Sequence, residues 1–90
     1  MTKIRVKKII DGDTFQDTRN RFFRLAGIDT PEKRKRGYSK AKETLENMIS
    51  KKELIIKVEG KSYNRQVVTV RIPGEKTTIN NKMLRKGYKP

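Results

Sequence analysis

The sequence contains no cysteine and no histidine. That excludes disulfides, zinc sites of the Cys/His type and any catalysis that turns on a thiolate or an imidazole. No stretch approaches the roughly 18 consecutive apolar residues that a membrane-crossing helix needs. The opening Met1-Thr2-Lys3-Ile4-Arg5-Val6 holds no apolar run ending in a small-residue cleavage site, so no secretory leader is visible, and the compartment stays open between the cytoplasm and secretion after processing. Acid is scarce as well: 10 Asp and Glu stand against 24 Lys and Arg, for a net charge of +14, and only four residues are Asp. With 90 residues the chain has room for one core, so residues 1–90 read as one domain, and multi-domain enzymes and solenoid arrays are excluded.

Such a charge attracts polyanions, either nucleic acid or an acidic membrane surface. The high content of charged residues does not signal disorder, because the apolar residues are patterned. Ile4, Val6, Ile9 and Ile10 place a strand over 3–10, and the doubled isoleucine marks a slip of period of the kind a bulge makes. Residues 13–28 read as a hairpin turning at Gln16–Asn20. Pro31 then keeps Thr30 out of a ladder. Ala41, Leu45, Met48 and Ile49 recur at helical spacing, with Ser39 as the expected cap, Lys42 and Glu46 paired on the wet side, and an end near Ser50-Lys51. Leu54–Val58 and Val67–Ile72 are two more strands around a loop at 60–64. Asn80 is expected to cap a short helix carrying Met83 and Leu84, which Gly87 ends in a left-handed turn. Five short strands, a helix between the third and fourth, and a short second helix near the C-terminus make a mainly β chain with some α, the order of a small OB-fold barrel; a small α+β roll fits the same order.

Two of the four aspartates, Asp13 and Asp29, end apolar runs next to turns. Asp-Gly and Asp-Thr-Pro are ordinary turn sequences. If the strands are neighbours, however, their carboxylates converge into a hard oxygen site suited to Ca²⁺ or Mg²⁺. Arg24 interrupts the apolar run Phe22–Leu25 and projects from the face opposite Phe23 and Leu25, where a guanidinium can grip a phosphate through two parallel hydrogen bonds. Arg65, after Tyr63-Asn64, can hold charge developing on a phosphoryl group.

The string Ile10-Asp11-Gly12-Asp13-Thr14-Phe15, followed by Arg24-Leu25-Ala26-Gly27-Ile28-Asp29-Thr30-Pro31-Glu32, resembles the staphylococcal nuclease-like (thermonuclease) family. Gly37, Ala41, Tyr63-Asn64-Arg65, Asn80, Leu84 and Gly87 extend the resemblance over most of the chain. It implies that Asp13, Asp29 and the carbonyl of Thr30 bind Ca²⁺, that Glu32 orients or deprotonates the attacking water, and that Arg24 and Arg65 bind phosphate. It further implies a nucleotide contact at Tyr63 and substrate contact by the basic loop Lys33, Arg34, Lys35 and Arg36, with Tyr38 able to stack on a base. The implied activity is metal-dependent hydrolysis of DNA or RNA phosphodiesters, with little sequence preference, leaving 3′-phosphate ends. A catalytically weak or inactive nucleic-acid-binding module of the same fold is the alternative, and a structural basic protein a third reading.

The sequence departs from the family pattern at Lys61, where an Asp is usual, at Asn64, where Gly is usual, and in the short stretch between Thr14 and Phe22. The family archetype also continues, beyond a point corresponding to Gly87-Tyr88-Lys89-Pro90, through another tyrosine into a helix that covers the barrel. The surface under that helix is therefore expected either to pair with a second copy or to belong to a smaller, self-sufficient barrel, since exposed apolar area is unfavourable by roughly 25 cal/mol per Å².

Overall fold

The computed structural model describes residues 2–90. Five strands and two helices follow in the order β1 (Thr2–Asp11), β2 (Thr14–Asp17), β3 (Phe22–Leu25), α1 (Tyr38–Ile49), β4 (Glu53–Ser62), β5 (Arg65–Arg71) and α2 (Ile79–Arg85). The strands close into a barrel in the order β1-β2-β3-β5-β4, with β4 returning to pair with β1. Every pairing is antiparallel except β3 with β5, which is parallel. This is the OB-fold-like barrel expected from the element order, with one helix between β3 and β4 and a short helix near the C-terminus.

Alternation fixes what faces inward. Ile4, Val6, Ile9, Phe15, Phe23, Leu25, Leu54, Ile56, Val68 and Val70 fill the barrel, and Phe15 stacks on Phe23 with ring centroids 5.5 Å apart. The pairing of β1 with β2 slips between Val6 and Lys8 and again between Ile9 and Asp11, so the period break around the isoleucine pair is a true irregularity of the ladder. Leu45 and Ile49 join the core from α1, and Ile79 and Met83 join it from α2.

Several boundaries differ from expectation, each for a local reason. The helix α1 begins at Tyr38 after Gly37, which takes a left-handed φ of 88°, and no side chain caps it; Ser39 lies inside the first turn. The Tyr38 hydroxyl donates to the Ile10 carbonyl at 2.8 Å and ties that first turn to β1. The Lys42–Glu46 pair does not form: among the described residues the ion pairs are Arg21–Asp17, Arg24–Asp13 and Lys82–Glu75. The strand β3 stops at Leu25 because Gly27, at φ 71°, turns the chain away. The expected loop at 60–64 shrinks to Tyr63-Asn64, since β4 runs on to Ser62 through a register shift between Val58 and Gly60. At the far end Gly87 takes φ 98°, its N–H donates to Leu84 O, and the Tyr88 N–H donates to Met83 O, which is a left-handed helix terminator.

Asn80 is the most informative correction. It does not cap α2; the Thr78 hydroxyl does, accepting from the Asn81 N–H at 3.0 Å. Asn80 is buried in the first turn, and its carboxamide completes the barrel seam. The parallel ladder of β3 and β5 ends at the Leu25–Val68 pair and the bond from Ala26 N–H to Val68 O. Beyond it, Asn80 Nδ2 donates to Ala26 O at 2.9 Å and to Val68 O at 3.1 Å, while Asn80 Oδ1 accepts from the Val70 N–H at 2.8 Å. The side-chain amide replaces the peptide that β3 would have supplied. Asn80→Ala removes the carboxamide from Ala26 O and the Val70 N–H, while Val68 O keeps the Ala26 N–H, and is expected to lower unfolding stability by about 2–4 kcal/mol, read by urea denaturation. A loss below about 0.5 kcal/mol would contradict the seam assignment.

Candidate active site

The turn from β1 to β2 is held tightly against its surroundings. Asp11 Oδ1 accepts from the Asp13 N–H at 3.1 Å, the side-chain-to-backbone bond that Asp makes two residues ahead. A Cβ on Gly12 would lie 2.7 Å from the Ala41 Cβ and 2.9 Å from the Thr30 Oγ1. Only glycine lets this turn sit so close to α1 and to the loop after β3. The same approach brings Asp11 and Asp13 next to Thr30 and its neighbours.

A polar network then crosses three strands. Asp13 O accepts from the Leu25 N–H at 2.8 Å, stitching the turn to the end of β3. Arg24 Nη2 donates to Asp13 Oδ2 at 3.3 Å and to Ile28 O at 3.2 Å. Thr14 pairs with Arg24 across β2 and β3, and its hydroxyl donates to Asp13 Oδ1 at 3.0 Å. Arg65 Nη1 donates to the Thr14 hydroxyl oxygen at 3.4 Å. Arg24 and Arg65 thus stand on neighbouring parallel strands, on the face away from Phe23 and Leu25.

One pocket of about 210 Å³ is lined by Asp11, Asp13, Asp29 and Glu32, by Arg24 and Arg65, and by Thr30 and Pro31. It therefore gathers the residues singled out in the sequence as metal-binding and catalytic, and adds Asp11. Asp29 and Glu32 are exposed at its rim, whereas Asp13 and Thr30 are buried. The remaining candidates lie outside it. Tyr63, at φ 56° and 93% exposed, stands at the tip of the β4–β5 hairpin, where it lines a separate cavity with Lys61, Asn64 and Arg65. Lys33 and Tyr38 line a neighbouring cavity on the other side of Asp11. Arg34, Lys35 and Arg36 are exposed on the loop between them, which the Lys35 N–H anchors to Glu32 O at 2.9 Å.

Sequence reasoning overlooked two members of this site. Thr14 bridges Asp13 to Arg65, a role that the hairpin register opposite Arg24 could have suggested. Asp11 had a signal too, because carboxylates two residues apart around a glycine both border the same turn.

Burial first, and then the hydrogen-bonded, like-charged Asp11, push the Asp13 carboxyl up from 3.8 to about 6, with Arg24 and Thr14 offsetting only part of the rise. A buried carboxylate crowded by a second one is a group that a cation would relieve. Asp11, Asp13, Asp29 and Thr30 border the same pocket, and carboxylate and carbonyl oxygens are the hard donors that Ca²⁺ or Mg²⁺ accepts. No closed shell is formed: among the described residues no three Asp or Glu side chains stand close enough together to hold a metal ion.

The raised Asp13 value has a definite sign. The folded protein binds this proton more tightly than the unfolded chain, so the ionised group destabilises fully above about pH 6 and not at all below about pH 3.8. In chelator, Asp13→Asn is expected to be more stable than the parent at pH 7.5, by on the order of 1–3 kcal/mol, with the gap closing as pH falls to about 4. Urea titrations of both proteins across that range check it, and a gap that stays constant with pH would contradict it.

Two comparisons bear on this geometry. A family model described as staphylococcal nuclease homologue matches residues 22–90. An uncharacterized endonuclease of Haemophilus influenzae is 35% identical over 87 residues, an overlap covering 92% of this chain and 48% of that protein. The chain therefore spans about half the length of that relative.

Proposed function

The chain belongs to the staphylococcal nuclease homologue family, and from that premise we propose that it hydrolyses phosphodiesters of DNA or RNA with the help of a divalent cation, Ca²⁺ by family likeness. What supports the reading is one pocket bordered by three acids named for this chemistry, Asp13, Asp29 and Glu32, together with Arg24 and Arg65. The relative from Haemophilus influenzae, itself described as an endonuclease, points the same way.

The chemistry follows from charge. A phosphodiester is anionic and repels an attacking hydroxide, so catalysis needs positive charge at the phosphoryl oxygens. Arg24 and Arg65 supply it from neighbouring strands. The Arg24 guanidinium is oriented by Asp13 and the Ile28 carbonyl through Nη2, the only nitrogen of that group with a protein hydrogen bond among the described residues. Its other donors are left for a ligand. Glu32, exposed at the rim, holds the water and takes its proton as the water oxygen bonds to phosphorus. The bond to the 5′ oxygen breaks, that oxygen takes a proton from solvent, and a 3′-phosphate remains. Asp13, Asp29 and the Thr30 carbonyl would hold the cation. When bound, it adds charge stabilisation and lowers the pKa of water. The net charge of +14 binds flanking phosphates without reading bases.

The openness of the acid set favours one second reading: a nucleic-acid-binding module whose hydrolysis is weak or absent. Pairing of two copies belongs to the proposal as well. Among the described residues the exposed large hydrophobics are Phe22, Val58, Tyr63 and Leu84, and sedimentation reads whether they join copies.

Incubation of single-stranded DNA with the protein and Ca²⁺ is expected to give 3′-phosphate fragments, and chelator should stop the reaction. Glu32→Gln and Arg65→Ala should each lower the rate by about a hundredfold or more. Full cleavage in chelator would reject the cation's part. Binding without cleavage in Ca²⁺ would establish the second reading instead.

A further inference from the structure

The cavity across Asp11 from the proposed hydrolytic pocket is lined by Lys33 and Tyr38, whose expected substrate contacts have had no defined place so far. It has a volume of about 310 Å³, and its walls are Lys8, Ile9 and Ile10 of β1, Lys33 of the following loop, and Tyr38 and Lys42 of α1, with Asp11 as the shared partition. Three features set it apart from a merely wet surface. First, three lysines from three separate segments line it, and none of them is in an ion pair among the described residues. Like charges gathered in this way are unfavourable unless a ligand balances them. Second, the Tyr38 ring is fixed. Its hydroxyl donates to Ile10 O at 2.8 Å, and its own N–H is bonded to Lys35 O at 3.2 Å. Beside buried Ile9 and half-buried Ile10 it forms a rigid wall with an apolar part. Third, the wall on the other side carries an acid, Asp11, whose Oδ1 is held by the Asp13 N–H.

We propose that this cavity is a subsite for the nucleotide unit next to the one being cleaved. Lys8, Lys33 and Lys42 hold its phosphate, and the Tyr38 ring with Ile10 lies against its sugar or base. The assignment rests on the hydrolytic reading of the adjoining pocket and makes the substrate a strand rather than an isolated phosphodiester. A strand fits better than an anionic membrane for two reasons. The lysines line a recess rather than a flat face, and buried Ile9 and half-buried Ile10 and Tyr38 line the same recess. A single strand also explains why a concave cationic site should share a wall with a pocket that carries two arginines. A phosphate in each would be bridged by the sugar passing over Asp11.

The test reads binding, with cleavage excluded by chelator and a phosphorothioate backbone. Fluorescence anisotropy compares octathymidylate with a thymidine dinucleotide on the parent protein, on Lys8→Ala/Lys42→Ala, on Lys8→Arg/Lys42→Arg and on Lys57→Ala/Lys86→Ala, which removes equal charge elsewhere. The proposal expects the first double variant to bind octathymidylate about tenfold more weakly, with the slope of log affinity against log salt smaller by about 1.4. The arginine pair should retain parent-like affinity, the Lys57/Lys86 variant should stay within about twofold, and dinucleotide binding should hardly change. Equal weakening by the Lys57/Lys86 variant would overturn the proposal in favour of bulk charge. An unchanged octathymidylate affinity for Lys8→Ala/Lys42→Ala would overturn it outright. Intact octathymidylate binding, with binding to phosphatidylserine vesicles lost, would assign the cavity to lipid headgroups instead. Because no cleavage is read, absence of hydrolysis in the parent protein would reject the nuclease reading while leaving these affinities interpretable, and a negative result here would leave hydrolysis standing.

Discussion

The parallel pairing of β3 with β5 closes the barrel, and the rest of the molecule depends on that closure. It is the one seam between strands far apart in sequence that run the same way, and it is short: Phe22–Leu25 against Arg65–Val68. Parallel pairing gains somewhat less per residue than antiparallel pairing. Here the Asn80 carboxamide lengthens the seam by a side chain, bridging Ala26 O and Val70 N–H where the backbones part. The interior of Phe15, Phe23, Leu25, Val68 and Val70 is sealed by that join. The join also sets Arg24 beside Arg65, two residues 41 positions apart in the chain. The proposed site on this barrel is a consequence of how it closes.

Electrostatics divides the surface into regions with different work. In a protein of net charge +14, burying an aspartate next to another aspartate is unfavourable, and the raised Asp13 pKa expresses that cost. The contrast with Asp17 is instructive. Asp17 is equally buried, but it accepts from the Arg19 and Arg21 N–H groups and from Arg21 Nε, and it pairs with Arg21 Nη2 at 2.8 Å. Its charge is fully met, and it closes the β2–β3 turn. Among the described residues the Asp13 carboxylate accepts from Thr14 and from one Arg24 nitrogen, and it also faces the like-charged Asp11. One acid is fully matched by cationic and N–H donors; the other keeps a raised pKa despite its partners. Incomplete satisfaction of a buried polar group is the local inconsistency that marks functional sites.

Much of this was legible in the residues. Alternation gave the strands, the isoleucine pair gave the bulge, and Gly87 gave the end of α2. The acids and arginines of the site stood out because charged residues interrupt or end apolar runs. What stayed hidden was tertiary. Asn80 reads as a cap because its preference for helix starts is strong, and only the seam shows why it is buried two residues past the cap, within the first turn. Ser39 reads as a cap for the same reason, but the Tyr38–Ile10 bond moves the helix start. Thr14 carries no charge to draw the eye, yet it joins Asp13 to Arg65. The Lys8, Lys33 and Lys42 recess was invisible because its three lysines come from segments with no common sequence pattern.

The central claim is that the turn around Gly12 and the loop at Asp29–Glu32 form one cation-dependent site. Backbone amide spectra recorded during a Ca²⁺ titration test it most directly. The account predicts saturable shifts confined to Asp11–Thr14, Arg24, Asp29–Glu32 and Arg65. Shifts that do not saturate, or that centre on acids elsewhere such as Glu53 or Glu75, would contradict it.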